Sequence, residues 1–208
     1  MDKAYIFCNN NYNNFTLNIS KLSDCYIVAA DGGANFLFQN GIPIDALVGD
    51  CDSIYPSVFK SLTSKTEIVK FPFRKDKSDT ELAVEFCISK GFNDLVIVNS
   101  INGQFEHSLA NIFIIEKFIN QANFMLLNKK NRIFFINNDF EIEITKKKNI
   151  SLLPLTDSVL IAHTKGLEYS TQNERLYRSS SRGISNYNTE NKIFIAVKSG
   201  ILICIIER

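Results

Sequence analysis

Hydrophobic residues in the first 130 positions form short continuous runs separated by amphipathic segments. Continuous apolar runs are typical of strands that are buried on both faces. The runs predict strands at 4–7, 25–30, 45–49, 67–71, 94–98 and 123–127, and the segments between them predict helices at 34–40, 56–62, 79–90 and 106–119. Such alternation predicts an α/β fold with a mostly parallel sheet and flanking helices.

Turn and capping residues support these helix bounds. Gly41 and Gly91 stand where a C′ glycine ends a helix, and Ser78 with Glu81 forms a capping box at the start of the segment 79–90.

After about residue 130 the pattern changes, because strands follow one another without helical segments. They are predicted at 132–136, 140–144, 149–155, 158–163, 192–198 and 201–206. This predicts an antiparallel β-sandwich, and hence two domains, 1–130 and 131–208. The KSG step at 198–200 predicts a tight hairpin. The segment 170–186 has no apolar periodicity and is predicted to be a functional or disordered loop.

Composition narrows the classes of function. The 208 residues carry 23 basic and 22 acidic side chains, a net charge of +1, so we expect neither nucleic acid nor a membrane surface as partner. Five scattered cysteines without a CxxC motif indicate neither a disulfide framework nor a zinc site. No apolar run suits a signal peptide or a membrane helix, so we expect a cytoplasmic protein.

Acidic residues recur just after the predicted strands, at the end of a parallel sheet where ligands bind. These residues are Asp31, Asp50, Asp52, Asp76, Asp79 and Glu106. So many carboxylates at one rim would repel each other unless cations lay among them, as when Mg²⁺ bridges carboxylates to phosphates. We therefore expect a magnesium and phosphate site. Singly, each residue has an ordinary interpretation as well, such as a turn at Asp31 or a helix start at Asp79.

Neighbouring residues fit an anion site. Gly32 and Gly33 let backbone N–H groups at a helix start face an anion, and Lys75 adds a point charge. His107 is interpreted as a hydrogen-bonding anchor. The sequence contains no GxSxG, P-loop or GxGxxG motif, so a serine hydrolase or a P-loop enzyme is poorly supported.

An ordered set of motifs spans nearly the whole chain: DGGAN (31–35), GDCDS (49–53), KDKSDTELA (75–83), GQFEHSLAN (103–111), TKGLEY (164–169) and GISN (183–186). This set resembles the thiamine pyrophosphokinase family. The resemblance implies a Rossmann-like catalytic domain, and a β-sandwich that contributes to thiamine binding and dimerisation. It also implies a homodimer with active sites at the subunit interface. The implied reaction moves a pyrophosphoryl group from ATP to thiamine and yields thiamine diphosphate and AMP.

The resemblance also implies residue roles. Asp50, Asp52 and Asp79 would hold Mg²⁺ on the ATP phosphates, while Asp76 would support the site or activate the thiamine hydroxyl. Further binding residues would be Asp31, Gly32, Gly33, Asn35, Ser53, Lys75, Gln104, Glu106 and His107, with Ser185 and Asn186 contacting thiamine from the partner subunit.

Two departures from the family pattern concern charge and stacking. Where the family has Gly-Gly-Arg-x-Asp-His, this chain has Asn-Gly-Gln-Phe-Glu-His at 102–107, so a bidentate phosphate donor is missing at Gln104. We hypothesise that other arginines replace it, namely Arg74, Arg175, Arg178 or Arg182. With no tryptophan in the chain, Tyr187 or another aromatic residue would have to stack on thiamine.

Two alternatives remain open from the sequence. One keeps the fold and the metal site but transfers the pyrophosphoryl group to another primary alcohol, such as a pterin. The other is a non-catalytic regulator that binds nucleotide or thiamine.

Overall fold

The computed structural model describes residues 2–13, 15–62, 65–101 and 103–208. Asn102, quoted above in a motif, lies outside the described residues. The chain divides into two compact units, Met1–Lys129 and Lys130–Arg208. Within the described ranges, no helix is long and apolar enough to cross a membrane.

The first unit alternates strands and helices as predicted, and each element lies within one residue of its predicted bounds. The strands are β1 Lys3–Phe7, β2 Tyr26–Ala30, β3 Ala46–Gly49, β4 Glu67–Lys70, β5 Asp94–Val98 and β6 Asn123–Leu127, and the helices are α1 Gly33–Gln39, α2 Pro56–Ser61, α3 Asp79–Ser89 and α4 Phe105–Phe118, with a 3₁₀ turn at Ile19–Leu22.

The strands of this unit lie in the order β6-β5-β1-β2-β3-β4, and all five neighbouring pairs are parallel. The prediction of a mostly parallel sheet is confirmed. Strand order reverses at β1, which lies between β2 and β5. In open parallel sheets such a switch point opens a crevice beyond the carboxyl ends of the strands.

The predicted burial on both faces is wrong for β4. This strand is mostly exposed, with Ile68 44% exposed. The reason is its place at the edge of the sheet, where it pairs with β3.

The predicted C′ glycines and the Ser78 half of the predicted capping box are present, whereas the Glu81 carboxylate pairs with Lys117 on α4. The Ser78 hydroxyl accepts a hydrogen bond from the Glu81 backbone N–H at 3.2 Å, which caps α3. Gly41 and Gly91 adopt φ of 63° and 88° directly after α1 and α3, the left-handed conformation of a C′ glycine.

The second unit is built from strands: β7 Asn131–Ile136, β8 Asp139–Glu143, β9 Asn149–Pro154, β10 Ser158–Lys165, β11 Gln172–Tyr177, β12 Asn186–Tyr187, β13 Lys192–Ser199 and β14 Leu202–Glu207. They form two antiparallel sheets, ordered β12-β9-β14-β7 and β11-β10-β13-β8. Side chains such as Leu152 and Cys204 of one sheet and Ile161 and Ile195 of the other share one buried core. The predicted antiparallel β-sandwich is therefore confirmed.

Two predictions for this unit are wrong. The supposed loop 170–186 contains β11, an edge strand in which only Leu176 is fully buried. The polar exposed positions of such a strand leave no apolar pattern to detect. The predicted hairpin at 198–200 is absent, since β13 and β14 belong to different sheets. Gly200, with φ of 84°, instead turns the chain from one sheet to the other.

Candidate active site

A cleft of about 540 Å³ lies at the carboxyl ends of the strands in the first unit. Its described lining residues are Cys8, Asn9, Asn10, Ala30, Asp31, Asp50, Asp52, Ser53, Phe73, Lys75, Lys77, Ser78, Asp79, Thr80, Ser100, Gly103, Gln104, His107 and Asn111. These residues lie at or after the carboxyl ends of β1, β2, β3, β4 and β5 or in the first two turns of α3 and α4. The cleft therefore occupies the crevice at the switch point.

One side of the cleft carries a cluster of three carboxylates, which we call the acidic wall. Asp31 follows β2 directly, Asp50 follows β3, and Asp79 begins α3. One oxygen from each lies within 4.8 Å of the others. The sheet thus brings together three of the acidic residues that the sequence singled out.

Lys75 is the nearest counter-charge to the acidic wall. Its Nζ lies 2.5 Å from Asp50 Oδ2 and 3.1 Å from Asp79 Oδ1. The Lys75 hydrogen bond lowers the pKa of the Asp50 carboxyl. Burial raises the pKa of Asp79 despite the opposing effect of Lys75. For Lys75 itself, burial lowers the pKa, but the hydrogen bond to Asp50 and the negative charges of Asp79 and Asp50 outweigh it, and the net shift of the pKa is upward.

The acidic wall fits a divalent cation. Asp31 is only 4% exposed, and its Oδ1 has no hydrogen-bond partner among the described residues. Asp79 Oδ1 is likewise buried and without a hydrogen bond there, because the approach of Lys75 lacks hydrogen-bonding geometry. Leaving charged oxygens buried and unsatisfied is costly. A set of carboxylate oxygens suits a hard divalent cation such as Mg²⁺, Ca²⁺ or Mn²⁺.

The remaining aspartates of these motifs lie differently. Asp52 lines the cleft but is exposed, and its carboxylate accepts a hydrogen bond from the Ser53 hydroxyl at 2.9 Å. Asp76 is exposed and lies outside the cleft lining. The buried third carboxylate of the cluster is Asp31, which the sequence analysis placed with nucleotide binding and not with the metal.

Backbone strain is concentrated beside the cleft. Asp31, Cys51 and Asn99 adopt φ of 47°, 69° and 60°, and they follow β2, β3 and β5. Non-glycine residues rarely occupy this left-handed region, and such strain tends to collect at functional sites.

The other side of the cleft carries neutral polar side chains, which we call the amide wall: Asn9, Asn10, Ser100, Gln104 and Asn111. Asn10 Nδ2 donates to the Asn99 carbonyl at 3.0 Å, and Asn111 Nδ2 donates to the Ser100 carbonyl at 2.8 Å. Ser100 is 3% exposed, and its hydroxyl has no hydrogen-bond partner among the described residues.

Sequence reasoning missed most of the amide wall. The sequence assigned no role to Asn9, Asn10, Ser100 and Asn111, nor to Lys77 and Thr80, which also line the cleft. The position of Asn9 and Asn10 directly after the central strand β1 was the signal that pointed to the cleft.

The paired glycines have a packing role. A Cβ on Gly33 would lie 1.9 Å from the Phe7 carbonyl oxygen, and one on Gly32 would lie 2.4 Å from Asn9 Oδ1. Only glycine lets α1 begin so close to β1. Neither glycine lines the cleft, so their predicted contact with an anion stays a prediction.

Other predicted residues divide in the same way. Ser53, Gln104 and His107 line the cleft, whereas Asn35 and Glu106 do not. Asn35 instead holds the loop after β3, since its side chain donates to the Ser53 carbonyl at 2.9 Å and accepts from the Tyr55 N–H at 3.0 Å.

The second unit places Ser185 and Asn186 beside an exposed aromatic side chain. Asn186 is buried, and its amide bonds the backbone of Tyr169 in both directions at 3.0 and 2.9 Å and also accepts from Tyr187 N–H at 2.9 Å. Ser185 is exposed with φ of 59°. Asn186 thus orders this segment, while Tyr169, 58% exposed, presents its ring outward.

Two family models match these two units in order. The model described as "Thiamin pyrophosphokinase, catalytic domain" matches residues 20–127, and "Thiamin pyrophosphokinase, vitamin B1 binding domain" matches residues 136–202. The chain belongs to the thiamin pyrophosphokinase family.

Relatives in the thiamin pyrophosphokinase family are distant in sequence but similar over most of their length. "Thiamine pyrophosphokinase" of Bacillus subtilis is 26% identical over 183 residues, which cover 86% of this chain and 85% of the relative. "Thiamin pyrophosphokinase 1" of Caenorhabditis elegans is 24% identical over 195 residues, which cover 86% and 78%.

Solved structures of thiamine pyrophosphokinases share the fold. The structure from Bacillus subtilis has a TM-score of 0.88 at 22% identity and covers 99% of this chain and 98% of that one. The structure from Candida albicans has a TM-score of 0.83 at 18% identity, with coverage of 99% and 88%.

The arginine that the family motif has at position 104 is not replaced at the cleft by Arg74, which is exposed and lies outside its lining. The other candidates have partners within the second unit. Arg175 donates to the Ser158 hydroxyl, Arg178 pairs with Asp157, and Arg182 pairs with Glu174. Among the described lining residues, the ammonium groups at the cleft are those of Lys75 and Lys77.

Proposed function

We propose that this chain transfers a pyrophosphoryl group from ATP to the hydroxyl of thiamine and releases thiamine diphosphate and AMP. The observation that carries this proposal is the buried, unpartnered Asp31 oxygen beside Asp50 and Asp79, at the switch point of a sheet that belongs to this family. Such a site suits a triphosphate with its divalent cation.

The acidic wall would hold Mg²⁺ through Asp50 and Asp79, with Asp52 and Asp31 close by. Bound there, Mg²⁺ would neutralise charge on the phosphates. Lys75 and Lys77 would place point charges on the phosphate chain, in the role that an arginine has elsewhere in the family. The amide wall, whose five side chains are neutral, would hydrogen-bond the uncharged part of the nucleotide.

The reaction would be an in-line displacement. The thiamine hydroxyl oxygen bonds to the β-phosphorus, the bond from that phosphorus to the α,β-bridging oxygen breaks, and AMP leaves. The hydroxyl proton passes to a carboxylate or to water, with Asp76 as a supporting group in the loop that carries Lys75. Catalysis would come mainly from positioning and charge neutralisation.

For thiamine, we propose that Tyr169 supplies the stacking ring. It is more exposed than Tyr187, and one face of Tyr187 is already covered by Lys147, whose Nζ lies 3.6 Å from the ring centroid. Ser185 would contact the pyrimidine, and Asn186 would hold Tyr169 in place through its backbone.

We further propose a cytoplasmic homodimer whose active sites draw on both subunits. The dimer rests on family resemblance, and the exposed side chains of Phe105, Leu109 and Phe113 on one face of α4 offer an apolar surface for it. Sedimentation equilibrium would measure the oligomeric state directly. The cytoplasm is supported by the five cysteines, all of them free thiols.

The test is AMP release from ATP and Mg²⁺ by the purified protein, with and without thiamine, and with thiamine diphosphate measured by mass spectrometry. AMP that depends on thiamine, with equal thiamine diphosphate, is the expected result. A pterin alcohol added in place of thiamine tests the other acceptor, which the vitamin B1 binding match disfavours. Binding of ATP without turnover for any alcohol would indicate the regulator instead.

A further inference from the structure

Lys75 is unusual for a lysine because its side chain is largely buried. Its side chain is 13% exposed, and that of Asp50 is 11% exposed, so this is a largely buried ion pair. The ammonium nitrogen contacts Asp50 and Asp79 together, at 2.5 and 3.1 Å. A divalent cation shared by these two carboxylates would need the same space.

The ammonium group satisfies the acidic wall only in part. Asp31 Oδ1 stays without a hydrogen-bond partner among the described residues, and the contact with Asp79 Oδ1 lacks hydrogen-bonding geometry. A single positive charge thus faces three clustered carboxylates, two of which keep an unsatisfied buried oxygen. The arrangement compensates the cluster less fully than a divalent ion with several ligand positions would.

We propose that Lys75 is a tethered cation that stands in the metal position between Asp50 and Asp79 while the nucleotide is absent, and that it must leave for the metal to bind. This inference rests on the proposed function, since the polyphosphate of the nucleotide gives the displaced ammonium its next partner. Metal and nucleotide then assist each other's binding. The metal displaces the Lys75 ammonium from the carboxylates, and the polyphosphate of the nucleotide gives that ammonium a new ion pair.

Lys77 provides the matched comparison. It also lines the cleft and lies two residues away, but its Nζ binds Glu85 at 2.7 and 2.8 Å. Removing Lys77 therefore takes one positive charge from the cleft without emptying the metal position.

The first experiment measures Mn²⁺ binding without nucleotide, by electron paramagnetic resonance, for the wild type, Lys75→Met and Lys77→Met. We expect Lys75→Met to bind Mn²⁺ about tenfold more tightly than the wild type, and Lys77→Met to stay within about twofold. Mn²⁺ should also raise the melting temperature of Lys75→Met more than that of the wild type. Equal or weaker Mn²⁺ binding by Lys75→Met would overturn the inference.

A second measurement needs no variant and so does not depend on the folding of one. An amine-acetylating reagent is applied to the wild-type protein, and modification of Lys75 and Lys77 is quantified by mass spectrometry. Mn²⁺ without nucleotide should increase acetylation of Lys75 several-fold relative to Lys77. An unchanged ratio would mean that Lys75 does not leave when the metal binds.

The two proposals can fail separately. If the wild type forms thiamine diphosphate but Lys75→Met binds Mn²⁺ no more tightly, the tethered-cation inference is wrong and the proposed function stands. If Lys75→Met binds Mn²⁺ more tightly but the wild type forms no thiamine diphosphate, the tethered-cation inference stands and the proposed function is wrong.

Discussion

The acidic wall and the amide wall are made at the same edge of one parallel sheet, yet they differ in how they are stabilised. The acidic wall has buried carboxylate oxygens with no hydrogen bond among the described residues, and its chief counter-charge is Lys75. In the amide wall, Asn10 and Asn111 donate to backbone carbonyls at 3.0 and 2.8 Å. The acidic wall keeps buried charged oxygens that a cation could satisfy, whereas two amide side chains of the amide wall are already hydrogen-bonded within the fold.

This difference predicts different responses to substitution. A change in the acidic wall should affect turnover far more than folding, because its groups repel each other in the free protein. A change around the amide wall should affect folding first, because its side chains hold loops to strand ends.

The largest effect is expected from Asp50→Asn. Loss of this carboxylate removes a proposed metal ligand and the partner of Lys75, so kcat/KM should fall on the order of a thousandfold. Thiamine-dependent AMP release measures it. Asp76→Asn is the matched variant, because Asp76 is exposed outside the cleft lining, and we expect a loss of about tenfold or less. Equal losses in both variants would move the chemistry away from the acidic wall.

The acidic wall was predictable because carboxylates after successive strands are hard to explain without a cation. The three that cluster, Asp31, Asp50 and Asp79, all stood among the candidates. The burial of Asp31 was not predictable, since it goes with a left-handed backbone conformation at this residue. No residue pattern distinguishes that conformation from an exposed turn.

The amide wall was not predictable by the same reasoning. Asparagine is common in turns and costs little there, so the residue type of Asn9 and Asn10 carried no sign of function. Only their position after β1 pointed to the cleft. In the second unit, β11 was missed for a similar reason, since its exposed polar residues leave only Leu176 as an apolar mark. Buried strands can be predicted from their hydrophobic runs, whereas exposed edge strands lack such runs.

The next largest effect concerns the start of α1, where the two walls meet. In Gly33→Ala the new methyl group would clash with the backbone oxygen of Phe7, so we expect a loss of about 3 kcal/mol in the free energy of unfolding. In Gly32→Ala the methyl group meets only the end of the Asn9 side chain, which can move. That variant should lose less than about 1 kcal/mol. Urea unfolding of both variants makes the comparison, and equal losses would contradict it.

A smaller effect is expected at Asn99, which supports the amide wall from the end of β5. Asn99→Ala loses the Nδ2 hydrogen bond to the Asn11 carbonyl, 2.9 Å long, and puts alanine at φ of 60°. We expect a loss of about 2 kcal/mol. Asn99→Gly loses the same bond but tolerates the backbone, so it should lose about 1 kcal/mol. An alanine variant as stable as the glycine variant would show that the backbone strain is negligible.

The smallest effect concerns the link between α3, which carries Asp79, and α4, which carries Asn111. Lys117 on α4 lies 2.9 Å from both Glu81 and Glu85 on α3. Lys117, with help from Lys77, lowers the pKa of Glu85 below its ordinary 4.5.

A lowered carboxyl pKa stabilises the fold above the pKa of the unfolded chain, and the effect is lost as pH falls through the folded value. Lys117→Met should therefore lower the melting temperature by about 1–2 °C at pH 7, since Lys117 is exposed and solvent screens both of its ion pairs. The difference should shrink to nothing as the pH falls well below 4.5, and Lys117→Arg should match the wild type throughout. A difference that persisted in acid would mean that the lysine stem, and not its charge, joins the two helices.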